Sequence, residues 1–265
     1  MTQPAPAPED QGTNGSPRRR ARPARAHKTA MTVAMQIVQE ITDGAYPVGT
    51  KLVTEREMLE QYGVGRGTLR ESLRFLEMNG VITMKPGPGG GPIVGQPDAR
   101  DLGGTLGLFL QLHRTPFQAI VEVRQEIEPI IASLAAKHAS PEAVDLIRQS
   151  VESMRANIED EKLFLEANEE FHDLVAWASG NPVFALLLGS LHWITDGSAL
   201  GVGYPLERRK DVLVAHERIF HAIADQDSEA ARSTMARHIR GFERYLERYY
   251  PDMYGSELRW SDVAH

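Results

Sequence analysis

The sequence contains no cysteine among its 265 residues, so it can form neither a disulfide bond nor a thiolate metal site. It lacks any apolar run of the roughly 18 residues that a membrane-spanning helix requires. Its first residues lack the apolar core of a secretory signal. Together with 42% apolar and 25% charged residues, these absences favour a globular protein located in the cytoplasm.

Positive charge is also scarce, because the sequence has 29 Lys and Arg but 36 Asp and Glu, which gives a net charge of −7. Residues 1–95 hold 12 basic and 9 acidic residues, a net +3, whereas residues 96–265 hold 17 and 27, a net −10. The two halves are therefore expected to meet different partners. Five arginines at positions 18–25 lie in an arm rich in Pro, Ala and Gly that we expect to be disordered. That arm either adds non-specific phosphate contacts or serves only solubility.

Two short helices around a tight turn form the most informative pattern. Thr54 and Glu57 have the spacing of a capping box at a helix start, and Gly63 ends that helix. The next helix, from Arg66 to Asn79, carries leucines at spacings of four and three along one face. This order predicts a helix-turn-helix.

A wing is predicted directly after these helices. Short β runs at 81–84 and 93–94 enclose a segment of glycine and proline, and a helix over 29–42 precedes the whole pattern. Gly87 and Gly89 lack side chains, so the wing backbone can approach a minor groove or phosphates closely. The alternative is an idle hairpin.

The second helix begins with side chains suited to DNA. Arg66 and Arg70 lie four residues apart on one face, with the hydroxyl of Thr68 between them. The planar arginine fork can bond both acceptors of guanine or grip phosphate oxygens. Arg56, on the preceding helix, is placed for the DNA backbone at the flank. The competing interpretation is that these arginines merely solvate a helix surface.

The N-terminal region resembles the GntR family of bacterial transcription regulators, in its FadR-type subgroup. In that family, residues matching the three arginines and the threonine just described contact operator DNA, and the wing tip reaches the minor groove. Gly65 and Gly67 depart from the family, which usually has Ser or Thr there, so two backbone-positioning hydroxyls are missing. The resemblance rests on Ile41, 43–46, 49–52, 54–57, 62–73, Leu76, Glu77 and Gly80.

Helical periodicity alone is visible beyond the winged region, and the predicted fold class is mainly α, a winged helix-turn-helix followed by an all-α bundle. The predicted helices cover 102–113, 116–139, 141–160, 162–179, 182–195, 206–225 and 228–249. The expected segments are a basic arm (1–27), the winged helix-turn-helix (28–95), a hinge linker (96–103), the helical domain (104–250) and a C-terminal tail (251–265).

Four residues of the helical half form a candidate metal set. Asn168 and His172 are i, i+4 on one helix face. His216 and His238 are equidistant from residue 227, in the turn between the last two helices, so an antiparallel hairpin would place them at the same height. Nitrogen-rich ligation without thiolate suits Zn²⁺, Ni²⁺ or another transition metal. Taken singly, each histidine is more often a core residue, and neutral Asn168 counts against tight binding.

The helical half also resembles the FCD domain of FadR-type regulators, which implies a divalent metal bound at these four positions and a small carboxylate effector beside it. Arg124 matches a family arginine that lines the pocket; its other interpretation is a salt bridge to Glu128. His192, on a mostly apolar helix, is a further candidate for the cavity wall. The resemblance rests on 123–129, 134–136, Asn168, 171–172, Leu174, 180–182, His216, Ile219, 222–223, Asp227, 230–231, Met235 and His238.

The function expected from these features is that of a ligand-controlled transcription regulator rather than an enzyme. We expect a homodimer on an operator of inverted-repeat half-sites, acting as a repressor that a small organic acid releases. The alternative is a metal-dependent hydrolase or lyase fused to a DNA-binding module, in which an open metal position activates water. Its general base would be Glu169 or Glu170, and turnover of organic acids would distinguish it.

Overall fold

The computed structural model describes residues 24–87, 89–195 and 201–262, and within these ranges the chain divides into two compact units. Most of the predicted basic arm, with its arginines at 18–22, lies outside the described residues. None of the described helices is long and apolar enough to cross a membrane. The first unit comprises residues up to 77 together with 82–94, and the second comprises 78–81 and everything from 95 onward.

The first unit is a winged helix-turn-helix. Strands β1 and β2 pair antiparallel, with Ile82 opposite Val94 and Lys85 opposite Gly91. Its elements are α1 (Ala24–Asp43), α2 (Glu55–Tyr62), α3 (Arg66–Met78), β1 (Ile82–Lys85) and β2 (Gly91–Val94).

Local sequence explains where these helices begin and pack. The Thr54 hydroxyl accepts from the Glu57 amide, and the Glu57 carboxylate accepts from the Thr54 amide at 2.8 Å, which completes the predicted capping box. Gly63 ends α2 in the left-handed region at φ 61°. The Ser72 hydroxyl donates to the Ala30 carbonyl at 2.8 Å and so ties α3 to α1. Side chains that form the buried core are Val33, Ile37, Met58, Leu69, Leu73, Leu76, Ile82 and Val94.

The second unit is an all-α bundle, so the predicted fold class is confirmed. Helix α10 packs against α5 and α9, while α6 pairs with α7 and α4 with α8. Its elements are α4 (Ala99–Leu112), α5 (Phe117–His138), α6 (Pro141–Ala156), α7 (Glu161–Ala178), α8 (Pro182–Thr195), α9 (Leu206–Ala224), α10 (Ser228–Tyr249), α11 (Pro251–Tyr254) and a 3₁₀ turn (Trp260–Asp262).

Three domain boundaries differ from the expectation. Helix α1 begins at Ala24, so residues 24–27 of the arm that was expected to be disordered are helical. Helix α4 begins inside the predicted hinge, because Asp98 and Asp101 form a second capping box. Of the predicted tail, residues 251–262 pack on the bundle instead. There the Leu258 amide donates to the Thr115 carbonyl at 3.0 Å, and the Leu258 side chain is buried. An apolar side chain in that segment gains from burial, which opposes fraying.

Candidate DNA-reading surface and histidine-lined cavity

The first turn of α3 presents the side chains expected to read DNA. Arg66 and Arg70 are exposed on successive turns of one face, and Thr68 between them is half-buried. Among the described residues no carboxylate lies within 4.0 Å of Arg66, and Arg70 makes only a 4.0 Å contact with Glu55. Arg56 is likewise exposed on α2. Because exposed pairs contribute little, these guanidinium groups remain available to an anionic partner.

The wing presents its backbone rather than side chains. Gly87 and Gly89 are exposed and adopt φ angles of 96° and 76°, which favour glycine. The Lys51 ammonium donates to the Gly89 carbonyl at 2.6 Å and so fixes the tip of the hairpin. The wing tip is therefore a held loop with little side-chain bulk.

The two glycines that depart from the family pattern lie in open space. A Cβ atom added at Gly65 or Gly67 would meet nothing within 4 Å, and neither residue needs a positive φ. The backbone would thus accept the family's Ser or Thr without rearrangement, so neither glycine is required by the fold.

Three of the predicted metal ligands meet where α7, α9 and α10 come together. The Nε2 atom of His238 lies 3.2 Å from Nε2 of His216 and 3.3 Å from Nε2 of His172. His172 and His216 are buried and His238 is half-buried. The hairpin spacing about residue 227 therefore brings the two histidines of α9 and α10 to one height, as predicted.

These distances fit a tetrahedral cation. Two nitrogens that each lie about 2.0–2.1 Å from a zinc ion at the tetrahedral angle are roughly 3.3 Å apart. Without a cation, a proton on Nε2 of His238 can form a well-aligned hydrogen bond to Nε2 of His216 or of His172, but not to both. A cation can instead be coordinated by the lone pairs of all three nitrogens. The donor set therefore fits a divalent transition metal held by His172, His216 and His238.

Contacts at Nδ1 hold the rings of His216 and His172 with Nε2 towards His238. His216 Nδ1 lies 3.2 Å from Sδ of Met154, and its ring stacks on Phe171 with centroids 4.0 Å apart. His172 Nδ1 lies 2.8 Å from Oε2 of Glu128, although the approach is too bent for a well-formed hydrogen bond. Partners at Nδ1 favour the tautomer with the Nδ1 proton, which leaves Nε2 free to bind a metal.

Burial keeps the three rings uncharged. It lowers the pKa of His172, an effect that the Glu128 carboxylate partly opposes. Burial also lowers the pKa of His216 and His238 well below the usual range, and repulsion from the neighbouring histidines lowers both further. Neutral imidazoles are the form that coordinates metal ions.

A cavity of about 620 Å³ opens beside these rings and gathers the other predicted residues. Asn168, Arg124 and His192 all line it, as do His172 and His238. The half-buried Asn168 lies one turn before His172 on α7, as predicted. The structure thus brings Asn168, His172 and His238 to the same cavity as the candidate effector residues, with His216 directly behind His238.

Glu128 is the residue that sequence reasoning undervalued. Its carboxylate is fully buried, accepts from Arg124 Nε at 2.6 Å and lies 3.5 Å from Nε2 of His192. Burial alone would raise the pKa of this carboxyl, but the Arg124 charge acting together with His172 and His192 outweighs burial and holds that pKa well below its usual value. The i, i+4 pairing with Arg124 was visible in the sequence; the contact with His172 was not, because it joins two helices.

Arg124 forms the predicted salt bridge to Glu128 and also lies at the cavity. It pairs with Glu128, donates from Nη1 to the Thr195 hydroxyl at 3.1 Å, and lines the cavity. Its side chain is only 9% exposed, so the pair with Glu128 neutralises it within the protein interior.

Comparison with known proteins agrees with both units. Residues 29–90 match the family of bacterial regulatory proteins named gntR, and residues 119–241 match the FCD domain. The uncharacterized HTH-type transcriptional regulator YcbG of Bacillus subtilis is 29% identical over 79% of this chain and 88% of its own length. The HTH-type transcriptional repressor NanR of Klebsiella aerogenes is 27% identical over 88% of this chain and 90% of its own.

A solved structure shares the fold. Streptococcus agalactiae GntR superposes with a TM-score of 0.62 at 26% identity, over 81% of this chain and 99% of that one. The proteins matched are regulators rather than enzymes, so the metalloenzyme alternative finds no support among them. With a gntR-type winged helix, an FCD-type bundle and relatives that match along most of the chain, the protein belongs to the GntR family and is a DNA-binding transcription regulator.

Proposed function

We propose that the protein is a repressor whose grip on operator DNA is controlled by a small carboxylate bound in the α-helical unit beside a divalent metal. The observation that carries this proposal is the convergence of three histidines beside a 620 Å³ cavity, with Nε2 of His238 lying 3.2 Å from Nε2 of His216 and 3.3 Å from Nε2 of His172. Relatives named as repressors support the sign of regulation.

The DNA side of the proposal rests on the exposed cations of the first unit. Arg66 and Arg70, with Thr68 between them, enter the major groove, and Arg56 contacts the backbone at the flank. The wing glycines at 87 and 89 approach the minor groove. A homodimer with two-fold symmetry would place two such helices on an inverted repeat, and a regulator of this kind acts in the cytoplasm, where its operator lies.

The effector side rests on the cavity wall. His172, His216 and His238 hold the metal, with the Asn168 amide as a further ligand. When bound, a zinc or nickel ion supplies a Lewis-acidic positive centre facing the cavity. Glu128 orients the His172 ring and neutralises Arg124, and His192 lines the cavity. These residues orient an acid and exclude water rather than transform it.

A binding experiment with a matched control tests the reading helix. DNA that binds the wild-type protein would be selected from a random-sequence library, and its affinity measured by mobility shift. Arg66→Ala should weaken binding by about tenfold or more, because a bidentate arginine–guanine contact contributes roughly 1–3 kcal/mol. Arg74→Ala, an exposed arginine two turns further along α3, should cost less. Equal losses in both variants would refute the assignment of Arg66 to the groove.

A further inference from the structure

Arg208, at the start of α9, stands at the junction of three concavities. It lines the 620 Å³ cavity, a hollow of about 200 Å³ and a groove of about 520 Å³ along α10. His238 lines both the cavity and the hollow. Arg208 therefore lies beside the cluster of His172, His216 and His238, here called the histidine centre. It also borders the groove along α10, here called the outer groove.

Within the described part of the chain, Arg208 is the cation of the cavity wall without a carboxylate partner. Arg124 is paired with Glu128, and Lys162 lies 3.8 Å from Glu166. Among the described residues, no carboxylate lies within 4.0 Å of Arg208. Its guanidinium carbon instead lies 4.7 Å from the centroid of the Tyr245 ring.

One donor of Arg208 is also unpaired. The side chain is half-buried, and its Nε atom is shielded from solvent without a hydrogen-bond partner among the described residues. A buried donor left unpaired costs free energy, and for a charged group this cost is larger. An anionic ligand in the cavity would remove that cost, because the guanidinium fork can bond two oxygens of a carboxylate or phosphate.

The outer groove adds positive charge next to Arg208. Four exposed arginines line it or the hollow, and within the described residues none of them forms an ion pair. The two carboxylates on the same walls, Asp211 and Glu247, leave a net positive surface. Since residues 96–265 carry a net −10, this surface would attract anions against the general charge of that half. The four are Arg218, Arg237, Arg244 and Arg248.

We propose that the effector carries two anionic groups, one held at the histidine centre and the second bound by Arg208 where the cavity meets the arginine-lined groove. The ligand class is then a dicarboxylic acid or a phosphorylated acid rather than a simple monoacid. This inference rests on the proposed effector function and adds a ligand class and a binding residue to it. The cavity volume leaves room for several carbon atoms between the two anionic groups.

Calorimetric titration of the zinc-loaded full chain with matched acids tests the inference. Glutarate would be compared with pentanoate, and 3-phosphoglycerate with glycerate, so that each pair differs by one anionic group. The dianion should bind about tenfold or more tightly than its partner. Arg208→Gln should weaken dianion binding by roughly tenfold to a hundredfold, the range for a hydrogen bond to a charged group. Monoacid binding should change by less than about threefold.

Two further variants sharpen the comparison. Arg240→Gln removes an exposed arginine of α10 that lines none of the three concavities, and it should bind all four acids as the wild type does. Arg208→Lys keeps the charge without the fork and should retain part of the preference for dianions. It also provides a folded comparison if Arg208→Gln does not fold.

The outcomes separate the inference from the proposed function. If monoacids and dianions bind equally well and both release DNA, the effector function stands and the role of Arg208 is refuted. If the Arg208 variants keep the wild-type preference, the second anionic group binds elsewhere and the inference fails. If none of the four acids binds the zinc-loaded protein or the zinc-free protein, the proposed carboxylate function fails and the inference falls with it. Preference for phosphorylated over dicarboxylic acids would identify the second group as phosphate.

Discussion

Replacing Glu128 by glutamine changes one charge at the centre of the buried cluster while keeping the side-chain shape. In the wild type, the Glu128 carboxylate and the Arg124 guanidinium cancel within the interior, with side chains 0% and 9% exposed. Burial lowers the pKa of the neighbouring His172, which favours its uncharged form. Glu128→Gln therefore leaves Arg124 as an uncompensated buried cation.

Two effects of known size follow from that change. Removing one partner of a buried pair costs about 3–5 kcal/mol of unfolding free energy. Loss of a carboxylate that orients a ligating histidine weakens metal binding by roughly tenfold to a hundredfold. At a fixed metal concentration well above the dissociation constant, a hundredfold loss of metal affinity lowers the metal-linked part of the unfolding free energy by ~2.7 kcal/mol.

Urea unfolding, followed by circular dichroism in chelator and again in zinc, separates the two effects. The single variant should unfold at lower urea in chelator, and zinc should stabilise it less than it stabilises the wild type. Adding Arg124→Met to Glu128→Gln removes both charges, so stability in chelator should recover to within about 2 kcal/mol of the wild type while zinc binding stays weak. Equal stability of the single variant and the wild type, or no recovery in the double variant, would show that charge balance is not what Glu128 provides.

Three other predictions concern the metal ligands and the reading helix. His216→Ala with His238→Ala, purified without chelator, should carry far less metal by elemental analysis than the wild type or the exposed-site control His113→Ala. In chelator, the wild type should lose stability as the pH falls below about 6.5, because the histidines of the unfolded chain then bind protons while the buried histidines of the folded chain do not. The unfolding free energy should fall by at most ~1.4 kcal/mol per pH unit for each of the two rings, and less steeply in the double variant. Gly67→Ala should stabilise by about 0.5–1 kcal/mol in thermal unfolding, whereas Gly63→Ala, at φ 61°, should destabilise; a gain in both would contradict the helix boundary.

The sequence was sufficient where the relevant physics is local. The capping box at Thr54, the glycine at position 63 and the leucine stripe of α3 each depend on neighbours within four residues, and all three appear as predicted. The pairing of His216 with His238 was also predictable, because two residues equally far from a short turn lie opposite each other in an antiparallel helix hairpin.

The sequence was insufficient where separate helices meet. Glu128 contacts His172 across α5 and α7, and its buried position depends on packing that helix periodicity does not specify. Arg208 has no motif of its own, and the absence of a carboxylate partner for it among the described residues depends on how several helices pack around it. The start of α4 was missed because its capping box uses Asp101 where the common pattern has Glu or Gln.

The histidine centre and the residues that contact it come from more helices than the three histidines alone. Glu128 belongs to α5, His172 to α7, His192 to α8, and the two remaining histidines to α9 and α10. A ligand there can alter DNA binding only by as much as its affinity differs between two arrangements of these helices. A site built from side chains of five helices responds to small shifts in any of them, whereas a site on one helix would be nearly the same in both arrangements. To shift the equilibrium between two arrangements from 1:99 to 99:1, a ligand must bind one arrangement about 5.5 kcal/mol more favourably than the other. An acid held both by the metal and by Arg208 can supply that difference more readily than an acid with one carboxylate.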